Sequence, residues 1–302
     1  MSVQSQIEAV FAPLGIEVGF SATHLPSGET VAINPHALFP TASVYKIPVM
    51  VEVYRQADEG RFKLSDRLEL TDAQRIIGSG VLQKLGNGLA PTIRDLCMLM
   101  IIISDNMATH MLQELVGNAN VTATMRRLGL QNINIALSMP ELFAHGYGLP
   151  PVPPPSYDQM QAASRDRDMD YAGLSFHRTP QNTTSSAADM AALSAMILQG
   201  KAGSAAGCAD MMTILRAQQL RERVPRHLPS GAVGNKTGTF RKVRNDAGVI
   251  LRSETDAISF GLFTYDPTEL PVGNSRLLSK RNSLVNDAMA EVGAILWDSL
   301  GR

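Results

Sequence analysis

The 302-residue sequence has little cysteine, no excess of either charge and no long apolar run. Its two cysteines, Cys97 and Cys208, are too few for a disulfide framework, and the apolar helical pattern around Cys97 indicates a buried thiol. The net charge is -1, so the excess of lysine and arginine that binds nucleic-acid phosphates is missing and no nucleic-acid partner is expected. The longest apolar run, Leu96 to Ile103, has eight residues, too few to span a bilayer, so no membrane partner is expected.

The features of a signal peptide and the spacings of metal ligands are also missing from this sequence. Residues 1–8 lack the basic start and the apolar block of a signal peptide. We therefore expect a cytoplasmic protein, or a periplasmic or secreted one if the natural chain carries a leader. The six histidines show no paired metal spacing, so neither a metal nor a cofactor is predicted. The sequence does not give the oligomeric state, and a monomer is the expectation.

Strand patterns stand near both ends of the chain, and helical patterns fill its middle. Strands are predicted at 16–23, 29–34, 231–237, 245–252 and 257–265. Helices are predicted at 3–14, 43–58, over most of 61–130, and at 187–198, 210–220 and 284–300. This order predicts an α/β (α+β) fold in which strands from both chain ends form one antiparallel sheet flanked by the terminal helices.

The same order predicts two domains. A discontinuous sheet domain would comprise 1–40 and 224–302, and an all-helical domain would occupy 41–223. The helical domain would include a long loop at 139–182, whose proline-rich run at 149–155 should be extended. We expect the active site at the junction of the two domains.

Three short motifs carry the chemistry. They are Ser43-Val44-Tyr45-Lys46, Ser104-Asp105-Asn106 and Lys236-Thr237-Gly238. At the start of a helix, Ser43 and Lys46 share one face, so the amine can take the proton of the hydroxyl. A serine–lysine pair alone arises by chance roughly once per 300-residue chain, but all three motifs in this order should arise in well under about one chain in a hundred.

With these motifs the chain resembles the class A branch of the penicillin-recognising serine hydrolases over nearly its whole length. The flanking residues also match, and they are Phe39-Pro40, Asp95-Leu96-Cys97, Thr183-Thr184, 187–190 and Thr239. The resemblance implies the three-layer fold of β-lactamases and DD-peptidases, and a serine hydrolase that forms an acyl-enzyme with a small, carboxylate-bearing substrate.

The resemblance also implies catalytic roles. Ser43 would attack the carbonyl carbon, and Lys46 would be the base or part of its relay. Ser104 would pass a proton to the departing nitrogen, because a hydroxyl both donates and accepts. The backbone N–H groups of Ser43 and Thr239 would form the oxyanion hole.

Five further positions would bind substrate. Asn106 would hydrogen-bond the amide side chain, while Lys236 and Thr237 would bind the carboxylate. Gly238 would let the substrate approach the strand backbone closely. Arg244 stands near where the family often has a second carboxylate-binding arginine. The arginines at 221, 223 and 226 are interpreted as solvated surface, with contact to an anionic substrate as the alternative.

One position departs from the family pattern. Met139 precedes Pro140-Glu141-Leu142 where the family has the glutamate that activates water for deacylation. A thioether cannot take a proton from water. Either Glu141, His145 or a carboxylate of 158–170 replaces that base, or Lys46 and Ser104 serve both half-reactions, or the acyl-enzyme persists.

These alternatives lead to three hypotheses on function. The first is hydrolysis of β-lactams or a related amide, with slow deacylation as a possible consequence of Met139. The second is an amidase, peptidase or esterase that acts on another carboxylate-bearing substrate. The third is a receptor that penicillin acylates without turnover.

Overall fold

The computed structural model describes residues 1–269 and 275–302, so residues 270–274 of the predicted sheet domain lie outside the described part. Within it, five strands form an antiparallel sheet in the order β2-β1-β7-β6-β5, and two short strands, β3 and β4, pair separately. The strands are β1 (Glu17–His24), β2 (Thr30–Ile33), β3 (Phe39–Pro40), β4 (Thr184–Ser185), β5 (Val233–Phe240), β6 (Val243–Leu251) and β7 (Ala257–Tyr265).

The central pairing of the sheet joins the two ends of the chain. β1 runs antiparallel to β7 with Phe20 opposite Leu262, and it pairs with β2 along its other edge. β5 and β6 form a hairpin in which Phe240 lies opposite Val243. The predicted antiparallel sheet from both chain ends is thereby confirmed, and β5 is left at its edge.

Ten helices lie in the described residues. They are α1 (Val3–Phe11), α2 (Lys46–Asp58), α3 (Ile93–Ile102), α4 (Asn106–Val116), α5 (Asn118–Arg127), α6 (Met139–Gly146), α7 (Tyr157–Asp166), α8 (Ala187–Leu198), α9 (Ala205–Arg216) and α10 (Ser275–Ser299). None of them is long and apolar enough to cross a membrane.

Two apolar cores account for the layers. In the first, Ile7 of α1 and Met289 and Leu296 of α10 pack with Phe20 and Phe260 of the sheet. The second core is built mainly from α2, α3, α4 and α9, and reaches the sheet through Phe263 and α8. Helices thus lie on both sides of the sheet, as the fold class predicts. The division into two domains stays a prediction.

Helical structure between 61 and 92 was predicted wrongly. This stretch contains only two short 3-10 turns, Asp72–Gln74 and Leu82–Lys84. Its chain doubles back, so that Leu68 N–H donates to Pro91 O at 3.1 Å and Leu70 N–H donates to Leu89 O at 2.8 Å. Non-local backbone pairing of this kind leaves no periodic pattern in the sequence.

The 139–182 segment, predicted as a loop, contains α6, α7 and a 3-10 turn at Leu174–Phe176. Both helices start with a capping box, in which Ser138 and Glu141, or Ser156 and Gln159, satisfy each other's backbone N–H groups. That signature is visible in the sequence. The proline-rich run between them is irregular.

Candidate active site

A cavity of about 470 Å³ lies where the start of α2, the α3–α4 connection and β5 meet. Its walls include Ser43, Ser104, Asn106 and Thr237 from the three motifs, together with the flanking Thr239. Lys46 and Lys236 are fully buried beside these wall residues. Groups nearly 200 positions apart in the sequence therefore converge on one space.

Ser43 lies in a 3-10 turn, Ala42–Tyr45, that leads directly into α2. Ala42 has a φ of 43°, a conformation that residues with a side chain adopt at a cost and that recurs at functional sites. The turn faces β5, where Gly238 is needed because a Cβ there would lie 2.5 Å from Thr41 O. Gly238 thus lets the strand pack against the serine turn, and it does not line the cavity.

The Lys46 amine has no exposed surface and contacts three acceptors. Nζ lies 2.7 Å from Ser104 O, 3.1 Å from Ser104 Oγ and 2.9 Å from Asn106 Oδ1. Burial, together with the nearby charge of Lys236, holds the pKa of Lys46 well below its ordinary value, and Asp105 opposes this. Lys46 therefore loses its proton more easily than an ordinary lysine, and the neutral amine can accept the Ser104 hydroxyl proton through the 3.1 Å contact.

Ser104 is held in a left-handed conformation, with φ 59°. Its carbonyl accepts from Ser79 Oγ at 2.6 Å as well as from Lys46. The next residue, Asp105, caps α4 through Ala108 N–H at 3.0 Å, and its other oxygen accepts from Val81 N–H at 2.6 Å. Asp105 therefore fixes the connection, and it leaves the Ser104 hydroxyl at the cavity wall.

Lys236 lies on β5 and donates to Thr237 O at 2.6 Å. Burial, followed by the charge of Arg223, lowers the pKa of Lys236 to about 7. This lysine is thus protonated mainly below neutral pH in the absence of an anion. A substrate carboxylate would raise its pKa again.

Arg223, interpreted from the sequence as solvated surface, is 1% exposed, so that interpretation is wrong. Its guanidinium donates to Gly238 O at 2.8 Å, Asn245 O at 2.6 Å and Thr239 Oγ1 at 2.5 Å. Arg244 is also buried, but it donates to the backbone at its own end of β6 and does not line the cavity. No local pattern marks an arginine that is buried by distant segments.

The 139–182 segment covers the cavity with apolar side chains. Met139, Leu142, Phe143, Tyr147 and Met169 line it, and Phe240 of the β5–β6 hairpin faces them. The hairpin tip holds this segment, because Arg241 forms an ion pair with Asp168 at 2.8 Å. The result is an apolar wall beside Ser43 that the motifs alone do not predict.

None of the alternative bases considered from the sequence lines this cavity. Glu141 accepts from Ser138 N–H at 2.8 Å and from its hydroxyl at 2.6 Å as part of the α6 cap. Asp168 pairs with Arg241, and His145 lies outside the lining. Met139 is 4% exposed, and Tyr45 Oη lies 3.8 Å from its sulfur. Among the described residues, no carboxylate or histidine lines the cavity.

Known proteins resemble this chain in sequence and in fold. The sequence model of the β-lactamase enzyme family matches residues 2–300. The β-lactamase regulatory protein BlaB of Streptomyces cacaoi is 24% identical over 301 residues, covering 92% of this chain and 94% of that protein. A β-lactamase of Streptomyces albus G is 36% identical over 135 residues, covering 42% of this chain and 43% of that enzyme.

A solved β-lactamase from Sphaerobacter thermophilus shares the fold. It superposes with a TM-score of 0.77 and 29% identity, covering 99% of this chain and 96% of that structure. This similarity in fold and the family match over residues 2–300 agree with the resemblance that the three motifs indicate. The chain belongs to the β-lactamase enzyme family and is a serine β-lactamase-like hydrolase.

Proposed function

We propose that this protein opens β-lactams, or closely related carboxylate-bearing amides, by acylation at Ser43, and that it deacylates slowly. The observation that carries the proposal is the convergence of Ser43, the Lys46–Ser104 contact and the Lys236–Thr237 strand on one cavity. Each group alone has a structural explanation. Their common location does not.

The acylation step uses each group once. Ser43 Oγ attacks the carbonyl carbon as neutral Lys46 takes the hydroxyl proton, and the N–H groups of Ser43 and Thr239 stabilise the oxyanion. The ring C–N bond then breaks. Ser104 Oγ gives its proton to the departing nitrogen and recovers one from Lys46 across their 3.1 Å contact. The substrate carboxylate lies against Lys236 and Thr237, with the buried Arg223 charge behind β5.

A persistent acyl-enzyme is supported by the apolar wall that the 139–182 segment contributes to the cavity. Hydrolysis needs a base that takes a proton from water, and positioned general bases contribute about 10²–10⁴-fold to such steps. Met139 lines the cavity where the family pattern has glutamate, and no carboxylate of the described residues lines it. Deacylation is therefore left to Lys46 and Ser104.

A receptor that is acylated without turnover is the second candidate. The relative that aligns over 92% of this chain is named a regulatory protein, whereas the β-lactamase of Streptomyces albus G aligns over 42%. The two candidates share the acylation step. They differ in whether the acyl group leaves.

The test of the proposal is a pre-steady-state assay with a chromogenic cephalosporin. Slow deacylation predicts an initial burst of absorbance that corresponds to one opened cephalosporin molecule per enzyme molecule, followed by a slow linear phase. A burst with no linear phase would favour the receptor. The absence of both a burst and a mass adduct would contradict the proposal and direct the search to open amides and esters.

The lowered pKa of Lys46 predicts how acylation depends on pH. Because the neutral amine is the base, the acylation rate should rise as Lys46 loses its proton, and it should level off well below the pKa of about 10.4 of an ordinary lysine. Stopped-flow acylation at saturating substrate between pH 5 and 9 measures this. A rate that rises with the profile of an ordinary lysine and shows no levelling in this range would contradict a lowered pKa of Lys46.

The ion pair at the hairpin tip predicts a weaker effect. Asp168→Asn should raise the KM for substrates with a bulky apolar side chain about threefold, because a partly exposed pair contributes up to about 1 kcal/mol. Asp158→Asn, on the exposed part of α7, removes the same charge and is the matched control. Equal KM values for the two variants would show that the Arg241–Asp168 pair does not shape the cavity.

A further inference from the structure

Two neighbouring side chains of β5 and β6 form a buried pair that the proposed acylation does not use. Asn235 of β5 is 1% exposed and Asp246 of β6 is fully buried. Asn235 Nδ2 donates to Asp246 Oδ1 at 2.7 Å. The other oxygen of each side chain, Asn235 Oδ1 and Asp246 Oδ2, has no hydrogen-bond partner in the described part of the chain.

An ionised Asp246 would be poorly supported at this position. No ion pair of the described residues includes it, although two buried cations lie nearby. Lys236 donates to Thr237 O, and Arg223 donates to Asn286 Oδ1 and to groups of β5 and β6. A buried carboxylate that accepts a single N–H bond loses its hydration without replacement.

We infer that Asp246 is a neutral carboxylic acid in the resting enzyme, with its Oδ2 proton donated to Asn235 Oδ1. One proton then satisfies both unpartnered oxygens and closes a cyclic acid–amide pair between neighbouring strands. The role of this pair in binding rests on the proposed function. Asp246 is then a positioning residue, because a neutral acid does not compensate the positive charge of Lys236, and that charge stays available to bind the substrate carboxylate.

The charges around Asp246 agree with this assignment. Burial raises the pKa of Asp246 to about 7, against the opposing effects of its Asn235 hydrogen bond and of Arg223 and Lys236, while Glu222 raises it further. On β7, the residue opposite Asp246 is the apolar Leu262. On α8, which packs against β6, Asp189 is engaged by Asn132 N–H. The carboxyl should therefore ionise only as the pH rises through about 7.

The first test needs no substrate. Infrared spectroscopy at pH 6 should show the C=O band of a protonated carboxyl that disappears in Asp246→Asn and persists in the control Asp256→Asn, whose carboxylate pairs with Arg252. Asp246→Asn should also keep Tm within about 2 °C of the native value, because its amide N–H replaces the acid O–H. A missing band, or a Tm loss above about 5 °C, would mean a buried carboxylate anion and would overturn the assignment.

The second test reads the effect on Lys236. In Lys236→Arg the residue at 236 stays charged at all pH values used. If the KM of this variant for a carboxylate-bearing substrate still rises above pH 7, the rise reports ionisation of Asp246. Adding Asp246→Asn should flatten that profile between pH 6 and 9. Equal profiles for the single and double variants would overturn the positioning role. If no substrate is turned over, the proposed function fails while the infrared result still decides the protonation state.

Discussion

Replacing Ser43 with alanine is expected to abolish covalent labelling by penicillins. The variant lacks the Ser43 hydroxyl, which lies at the cavity wall in the 3-10 turn that leads into α2, so the proposed nucleophile of Lys46 is gone. Loss of a nucleophile that acts together with its base typically costs at least about 10⁴-fold in rate. Intact-protein mass spectrometry after incubation with a penicillin measures the result directly.

The control is Ser175→Ala, another hydroxyl of the cavity wall. Ser175 Oγ donates to Leu142 O at 2.6 Å and belongs to none of the three motifs, so this variant should still be labelled. Digestion of the labelled protein should place the adduct on the peptide that contains Ser43. An adduct of undiminished yield in Ser43→Ala, on Ser104 or elsewhere, would contradict the assignment.

Replacing Met139 with glutamate is expected to speed deacylation by about 10²–10⁴-fold, the usual contribution of a positioned general base. Met139 is the first residue of α6, where a carboxylate gains from the helix dipole, and its side chain lines the cavity that contains Ser43. The Ser138–Glu141 cap stays in place in this variant. Loss of the acyl mass after excess substrate is removed gives the rate.

Met139→Gln separates the base from the change of shape and polarity. Glutamine has nearly the same size as glutamate but takes no proton from water at neutral pH. It should therefore deacylate as slowly as the native protein. If the glutamate variant deacylated no faster than the glutamine variant, the absence of a base at 139 would not be the cause of slow turnover.

The motifs allowed most of the site to be predicted because two of them lie at helix starts and the third lies on a strand just before its hairpin. Ser43 and Lys46 lie on successive turns at the start of one helix, and Ser104 precedes an aspartate that caps the next helix. The strand with Lys236 ends in a tight hairpin. These local requirements are written within a few residues, so short patterns find them.

The parts that were missed depend on contacts between distant segments. Arg223 is buried by β5, β6 and α10, and nothing next to it in the sequence differs from an exposed arginine. The stretch at 61–92 folds by pairing with itself instead of forming helices. In contrast, the helices of the 139–182 segment could be predicted from their capping boxes. They were missed because the proline-rich run between them led to the prediction of one long loop.

The central claim is an acyl-enzyme at Ser43 that forms quickly and leaves slowly. One chase experiment tests it most directly: the protein is mixed with a penicillin, the free compound is removed by rapid gel filtration, and the intact mass is followed with time. We expect a single adduct that outlasts the acylation step by at least about 10²-fold, because no positioned base speeds its hydrolysis. An adduct that vanishes as fast as it forms would show that an efficient deacylating base exists and would contradict slow deacylation at Ser43.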